Sequence, residues 1–321
     1  MMSVDQDNNF AYNVRVDKQK DAYYRSRFPD ATSSFYPAYN DVLINTGTEL
    51  ETPFICHTGH STVYKGYSKR FNKTVAVKII HKRQIPKECV DLFLPRELYV
   101  TQVVDHPNLA KCLHISEPND SKIVIISEFY SSGTLTDLLK ASNGKLPERM
   151  CSSIIRQLSE AVNYLHKRKV IHRDIKPLNI LFDNYGNLVL VDYGFARTME
   201  PQEKCKSYCG SKDYCTGNVV LQQPYDGYAS DWYSIGAVLF VMLTGHVPMN
   251  PGERAKQGVT DLTYYHFKPT IKARRLLDSL LTLDESSRFG YKECLESEWM
   301  QYHKTEYTIT DNHMCYKIYE E

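Results

Sequence analysis

The segment His172–Asn179, which reads HRDIKPLN, carries side chains that could move a phosphoryl group. Asp174 can accept or orient a hydroxyl proton, Lys176 can neutralise the charge of a transferred phosphate, and Asn179 offers a carbonyl oxygen to a metal ion. Such transfer needs positioned charge more than covalent chemistry. Any one of these groups could instead be a helix cap or a surface ion-pair partner, so their combined spacing carries the interpretation.

Three more charged residues extend this set along the chain. Asp192 in LVLVDYG ends an apolar strand and offers a second carboxylate to a metal ion. Lys78 in VAVKII lies on a predicted strand and can reach two phosphates if Glu97, on the following helix, orients it. A lysine on a strand is by itself more often a solvated edge residue. The order and spacing of the whole set favour phosphoryl transfer.

The elements that would position these residues fall into two groups. Short β-branched runs, STVYKG, TVAVKII and KIVIIS, lie between Glu51 and Ser127, with one helical segment near Lys87–Val104. This pattern predicts a small, mostly antiparallel lobe with one helix.

The second part of the chain has helical periodicity. Apolar residues at helical spacing between Glu148 and Arg168 follow Pro147, which suits a helix start. Asp231–Thr244 is apolar on nearly every face and ends at Gly245, so it predicts a buried central helix, and Ala273–Leu283 predicts an amphipathic one. The fold class is therefore α+β with two lobes, and a small ligand is expected to bind in a cleft between them.

Composition limits the partners. The net charge is +1 with 24 % charged residues, which gives no electrostatic reason to expect nucleic acid or a membrane surface as a partner. The chain lacks a signal-peptide pattern, and its longest apolar run is too short to span a bilayer. We therefore expect a soluble, cytoplasmic protein that works as a monomer.

Nine cysteines are scattered along the chain, and in a reducing compartment they are expected to be free thiols. Cys205, Cys209 and Cys215 cluster in one loop without a zinc-ligand spacing. A metal site there is the less favoured interpretation, and residues of a loop and pocket wall are the more favoured one.

The chain from about Glu51 to Trp299 resembles a eukaryotic protein kinase domain, because VAVK, HRDIKPLN, DYG, CGS and SDWYSIG occur in that family's order. The lysine of HRDIKPLN and the downstream CGSKDY resemble serine/threonine kinases. FLPREL, GFAR and CGS look most like the testis-specific serine kinases of the calcium/calmodulin-dependent kinase group, which implies a role in spermatogenesis. The resemblance implies a bilobal kinase fold, ATP and Mg²⁺ as cofactors, and a protein substrate phosphorylated on Ser or Thr.

The resemblance also assigns domains and roles. Residues 1–45 are polar, rich in Tyr and Asn and without periodicity, which predicts a flexible leader. The resemblance implies a kinase domain at 46–300, followed by a tail at 301–321; the domain divides into an N-lobe at 46–127, a hinge at 128–132 and a C-lobe at 133–300. Asp174 would be the catalytic base with Lys176 beside it, and Asn179 and Asp192 would hold magnesium. The residues that would bind ATP are Ile55, Val63, Ala76, Lys78, Glu97, Glu128, Tyr130 and Leu181.

Three further positions concern regulation and pocket shape. Ser127 aligns with the gatekeeper at the back of the adenine pocket, where a serine is expected to leave an opening for bulky purine analogues. Arg173 is expected to bind a phosphorylated residue of the activation loop, and Ser207 matches that site best. The phosphorylation implies an upstream kinase; the alternative is that Ser207 is an exposed loop serine.

The chain departs from the family pattern in two places. The three glycines of the phosphate loop become Cys56, Thr58 and Ser61, which should stiffen the loop and weaken nucleotide binding. Asn218 stands where the family has the glutamate that pairs with a buried arginine, here Arg288. These departures keep open an alternative, a pseudokinase or weakly active scaffold that binds nucleotide and a protein partner.

Substrate choice should also differ from the parent group. Kinases of that group often hold an upstream arginine of the substrate with two acids, and here those positions are Thr134 and Leu178. A guanidinium would lose hydration there without gaining a paired acid. We expect little preference for upstream arginine, unless Asp137 or another acid supplies the charge.

Overall fold

The computed structural model describes residues 40–58, 60–85, 94–119, 121–257, 262 and 269–307. The chain divides into two compact units. The first contains the described residues up to position 92 together with Lys111–Phe129, and the second contains those of 93–110 and from Tyr130 onward.

The first unit is a five-stranded antiparallel sheet in the order β1-β2-β3-β5-β4. A short helix, α1 (Asn40–Asn45), contacts β1 and β4. The strands are β1 (Thr48–His57), β2 (Ser61–Ser68), β3 (Lys73–His81), β4 (Cys112–Asn119) and β5 (Lys122–Glu128).

The predicted β-branched runs form the three inner strands, β2, β3 and β5. Val75, Val77 and Ile79 alternate along β3 and are fully buried, whereas Ala76 and Lys78 between them point to the other face of the sheet and are half-buried. The register places Val63 of β2 opposite Lys78. One face of β3 therefore packs into the core, and the other face could contact a ligand.

The second unit is mostly helical and contains two small antiparallel pairs, β6 (Val170–Ile171) with β9 (Arg197–Thr198) and β7 (Ile180–Phe182) with β8 (Leu188–Leu190). Its helices are α2 (Leu94–Val103), α3 (Leu135–Ala141), α4 (Glu148–Lys167), α5 (Gly217–Val220), α6 (Gly227–Thr244), α7 (Pro251–Gln257), α8 (Ile271–Leu280), α9 (Tyr291–Glu296) and α10 (Glu298–Tyr307). Among the helices of the described residues, none has the length and apolarity to cross a membrane.

Helix α6 lies at the centre of this unit, and nearly all its residues are buried. It begins at Gly227, four residues before the predicted start, because the Asp226 carboxylate accepts hydrogen bonds from the amides of Tyr228 and Ala229. It ends at Gly245, whose φ of +77° supplies the left-handed turn that closes the helix. Helices α4 and α8 pack against it, so the predicted buried central helix is confirmed.

Other predicted helix ends shift by a few residues. The predicted helix near Lys87–Val104 is described from Leu94 to Val103, and residues 86–93 lie outside the described part of the chain. Pro147 is the N-cap of α4, and α8 begins at Ile271 because the Thr270 hydroxyl caps the amide of Ala273.

Candidate active site

The HRDIKPLN segment follows β6 and ends with a 3-10 turn at Pro177–Asn179. A carboxylate of α6 holds the backbone of this loop. Asp231 is fully buried; its Oδ2 accepts from the His172 amide at 2.8 Å and its Oδ1 from the Arg173 amide at 2.8 Å. His166 Nε2 lies 2.9 Å from Oδ2. Arg173 has a φ of +68°, a left-handed conformation that costs a non-glycine residue about 1–2 kcal/mol. The two hydrogen bonds from the loop amides to Asp231 hold this bend in place.

The charge of Asp231 is maintained in spite of its burial. Burial alone would raise the pKa of its carboxyl, but the hydrogen bond and charge of His166, with the charge and amide of His172, outweigh that effect. The pKa of Asp231 therefore lies below its usual value, and the group is ionised at neutral pH.

Two residues of the predicted catalytic set, Lys176 and Asn179, converge on the carboxylate of a third, Asp174. Asp174, which is buried, receives at Oδ2 a hydrogen bond from Lys176 Nζ at 2.7 Å and one from Asn179 Nδ2 at 2.9 Å. Asn179 Nδ2 also donates to the Asp174 carbonyl oxygen at 2.9 Å. The base, the cation and the amide are thus placed together, as the spacing predicts.

A third partner of Asp174, Ser211, comes from the activation segment, residues 194–216, and is not among the predicted site residues. Its amide and hydroxyl lie 3.2 and 3.0 Å from Asp174 Oδ1, and Lys176 Nζ donates to the Ser211 hydroxyl at 3.0 Å. The neighbouring Gly210 has a φ of +100°, and a Cβ there would lie 2.5 Å from the Arg173 carbonyl oxygen. The only signal in the sequence was the glycine of CGSKDY, which permits this close approach.

The predicted metal ligands flank the β7–β8 pair: Asn179 directly precedes β7, and Asp192 lies two residues after the end of β8. The Val191 amide donates to the Asn179 carbonyl at 3.0 Å, which brings Asn179 close to Asp192. Asp192 is exposed, has a φ of +68°, and accepts from the Gly194 amide at 3.4 Å. Because the Asn179 amide nitrogen donates to Asp174, its oxygen remains for a cation. One amide oxygen and one carboxylate fit Mg²⁺, which takes few protein ligands when phosphates supply others.

Glu97 lies in the second unit, on α2, and is 9 % exposed. A Cβ at Gly194 would lie 3.8 Å from its carboxylate and 3.3 Å from that of Asp192. Tyr193, which lies between Asp192 and Gly194 in the sequence, is buried. Its ring centroid lies 5.9 Å from that of His172, and its hydroxyl donates to the Ala110 carbonyl at 3.4 Å. The buried Tyr193 hydroxyl therefore has an acceptor.

Most residues predicted to bind ATP lie on strands of the first unit. Val63 stands opposite Lys78, and Ala76 opposite Ser127, whose hydroxyl lies 3.5 Å from the Ala76 carbonyl oxygen. Glu128 forms an ion pair with Lys73 at 2.7 Å. Of the remaining predicted residues, Ile55 lies exposed on β1, while Tyr130 and Leu181 belong to the second unit.

The phosphate-loop region at the end of β1 is held by the side chain of Thr58. Its hydroxyl accepts from the Ser61 amide at 3.1 Å and the His60 amide at 3.4 Å, and it lies 3.0 Å from the Ser61 hydroxyl. The Thr58 amide donates to the Ser61 carbonyl at 2.8 Å. The Thr58 hydroxyl therefore accepts hydrogen bonds from two backbone amides that could otherwise donate to a phosphate of the nucleotide.

Arg173 and Ser207 lie together. The Nη1 of Arg173 donates to the Ser207 hydroxyl at 2.6 Å and its Nε to the Phe195 carbonyl at 2.7 Å. Its Nη2 is buried, and no acceptor for it exists within the described residues.

The cysteines of the activation segment are part of a packed cluster. Cys205 and Cys215 are buried with Ile171, Met199 and Tyr225. Burial raises the pKa of the Cys205 and Cys209 thiols, and raises that of Cys215 to about 11. Within the described part of the chain, no group of three or more His, Cys, Asp or Glu residues could hold a metal ion.

The positions expected to set substrate preference contain a capping box and an exposed leucine. Asp137 Oδ2 accepts from the amide and the hydroxyl of Thr134 at 2.9 and 2.7 Å, and these hydrogen bonds lower its pKa. Leu178 is 59 % exposed. Asp137, the acid that could have served an upstream arginine, is therefore committed to capping α3.

Comparison with known proteins agrees with this arrangement. The family description "Protein kinase domain" matches residues 56–300. Testis-specific serine/threonine-protein kinase 3 of Mus musculus is 32% identical over 268 residues, which cover 81% of this chain and 98% of that protein. Testis-specific serine/threonine-protein kinase 2 of Mus musculus is 31% identical over 75% of this chain and 70% of its own length. CBL-interacting serine/threonine-protein kinase 15 of Arabidopsis thaliana is 31% identical over 76% of this chain and 59% of its own length.

The matched domain covers most of the chain and contains Asp174 and the residues that converge on it. The chain belongs to the protein kinase family.

Proposed function

We propose that this serine/threonine kinase transfers the γ-phosphate of ATP to a protein hydroxyl with Asp174 as the base. The observation that carries the proposal is the convergence of Lys176, Asn179 and Ser211 on the Asp174 carboxylate. In the reaction the acceptor hydroxyl oxygen bonds to the γ-phosphorus while the bond to the bridging oxygen of ADP breaks. The hydroxyl proton passes to Asp174, and the Lys176 ammonium, 2.7 Å from that carboxylate, balances the phosphate charge.

Mg²⁺, when bound, would offset the negative charge of the phosphates. Asn179 and Asp192 are the residues that would hold it. Asn179 is fixed through its nitrogen to Asp174, so the same side chain links the proposed metal site to the base.

The pseudokinase alternative draws its support from the loop around Thr58 and from Asn218. Against it stands the complete set of charged groups around Asp174. The relatives reported above all have names that describe serine/threonine kinases.

The biological role of the kinase is a further proposal. The names of the testis-specific relatives support a role in spermatogenesis.

The base is tested by Asp174→Asn, which keeps the size of the side chain and removes its charge. We expect phosphate transfer with Mg²⁺ to fall by at least about 100-fold, within the usual range for loss of a general base. Asp278→Asn, on an exposed residue of α8, is the matched control and should keep the wild-type rate. Wild-type transfer no faster than that of Asp174→Asn would contradict the proposal.

The second prediction concerns nucleotide affinity. Because the Thr58 hydroxyl occupies two loop amides, Thr58→Gly with Ser61→Gly should bind Mg-ATP about tenfold more tightly, or roughly 1.4 kcal/mol. Calorimetric titration measures this. Thr58→Val removes the hydroxyl without adding backbone freedom, and should recover part of the gain if capture of the amides is the cause. Tighter binding by the wild type than by both variants would refute the prediction.

The third prediction concerns activation. A phosphate on Ser207 would add about −1.5 to −2 charge beside Arg173 and offer acceptors to its Nη1 and Nη2. We expect mass spectrometry of the active protein to find this phosphate and Ser207→Ala to lower the rate at least about tenfold. Tyr208→Phe, one residue further, is the control. Full activity of Ser207→Ala together with an unphosphorylated loop would show that Ser207 has no such role.

The fourth prediction concerns the substrate sequence. Leu178 is exposed and Asp137 is committed to its capping box, so a positional peptide library should show little selection for upstream arginine. Leu178→Glu should create that selection, since it adds an exposed acid at the position. Strong selection for arginine two or three places upstream by the wild type would refute this account.

A further inference from the structure

Arg288, which follows α8, has no acid in ion-pair contact within the described residues. Its Nη1 donates to the Ala229 carbonyl at 3.1 Å and its Nη2 to the Thr282 carbonyl at 2.6 Å. The guanidinium lies 5.2 Å from the ring centroid of Tyr233. Its Nε is buried and has no acceptor in the described part of the chain. Two backbone carbonyls and the face of an aromatic ring thus contact the guanidinium, but none of them carries the negative charge that a buried cation requires.

Asn218 stands at the position where an acid is expected. Its side chain is neutral, so it does not balance the charge of Arg288. It is the second residue of α5, and its side chain makes no hydrogen bond with any residue that the structure describes. Its backbone carbonyl accepts from Gln223, which fixes the turn but brings no charge.

Glu285 lies three residues before Arg288, in the segment between α8 and α9, and its side chain is 12% exposed. Its Oε2 accepts from the Asp226 amide at 3.0 Å and from Lys204 Nζ at 3.2 Å. Its Oε1 is buried and accepts no hydrogen bond from the described residues. Burial lowers the pKa of Arg288, and among the neighbouring charges Glu285 opposes this most. A carboxylate with one buried oxygen that accepts no hydrogen bond therefore lies three residues before a guanidinium with one buried N–H that donates none.

The contacts of Glu285 connect it to the activation segment and to the helix that carries Asp231. Lys204 belongs to the activation segment; the next residue, Cys205, pairs its backbone with Tyr225, whose hydroxyl donates to the Ser207 carbonyl at 3.1 Å. The Asp226 amide lies at the start of α6, the helix that carries Asp231. One carboxylate thus connects the activation segment and the start of the central helix.

We propose that Glu285 is a positioning residue that supplies the counter-charge of Arg288 in place of the missing acid at position 218, and so holds the activation segment in its active arrangement. This inference rests on the proposed kinase activity. It requires that a carboxylate placed at 218 can take over the role of Glu285, whereas a neutral side chain of the same size cannot.

The experiment compares Glu285→Gln, Asn218→Glu and Asn218→Gln, alone and as the two double variants. Glu285→Gln should lower kcat/KM for a peptide substrate about tenfold, and the melting temperature by about 3 °C or more. Adding Asn218→Glu should return kcat/KM to within about threefold of wild type and recover most of the melting temperature. Adding Asn218→Gln should recover neither. Glu298→Gln, which removes an exposed ion-pair partner of Lys272 and Arg275, is the matched control and should change little.

Four outcomes would overturn the proposal. Glu285→Gln could match the wild type in rate and melting, or could melt lower yet keep the wild-type rate well below its melting temperature. Asn218→Gln could rescue as well as Asn218→Glu. Finally, both Glu285→Gln and its double variant with Asn218→Glu could fail to fold, which would show that an acid at 218 cannot replace Glu285. If the wild type transfers no phosphate, the kinase proposal fails alone, and the melting temperatures still test the counter-charge of Arg288.

Discussion

The arrangement of the active site depends on one buried carboxylate, that of Asp231. A charge buried in a protein interior costs several kcal/mol unless hydrogen bonds satisfy it. Here the two loop amides donate to it and the His166 imidazole lies within hydrogen-bond distance. These contacts fix the catalytic loop to the most buried helix of the second unit, and they hold Arg173 in a left-handed conformation that an unsupported loop would leave. The position of Asp174, one residue further, follows from that bend.

The catalytic loop and the activation segment complete each other. Asp174 receives donors from its own loop on one oxygen and from Ser211 on the other. The approach is close enough that a side chain at position 210 would collide with the Arg173 carbonyl. Arg173, in the catalytic loop, also donates a hydrogen bond to Ser207 of the activation segment. The contact between the two segments is therefore made by charged and polar groups. A site of this kind is sensitive to the arrangement of the activation segment, because a small displacement removes two of the donors to the base.

The sequence predicts the parts of this molecule that have strong local signals. The three inner strands are β-branched runs, and α6 is apolar on nearly every face and ends at a glycine, so periodicity and turn chemistry identify them. The edge strands β1 and β4 escaped prediction because each contains a proline, Pro53 and Pro118, and mixes polar with apolar residues. The residues around Asp174 were predicted because they lie within one short motif. Ser211 was missed because it lies 37 residues from Asp174 and meets it only through the tertiary fold. The capture of loop amides by Thr58 and the capping role of Asp137 likewise depend on side-chain directions that composition does not specify.

The most direct test of this account is the phosphate-transfer rate of Asp231→Asn, measured at a temperature where circular dichroism shows native helix content. An asparagine keeps the shape, but its nitrogen cannot accept from a loop amide, so one of the two hydrogen bonds that hold the loop is lost. The account predicts a fall in kcat of at least about 100-fold, equivalent to roughly 2.7 kcal/mol of transition-state stabilisation, in a protein that remains folded. A folded Asp231→Asn protein with a rate within about threefold of wild type would show that the loop is held by other contacts, and would contradict the account.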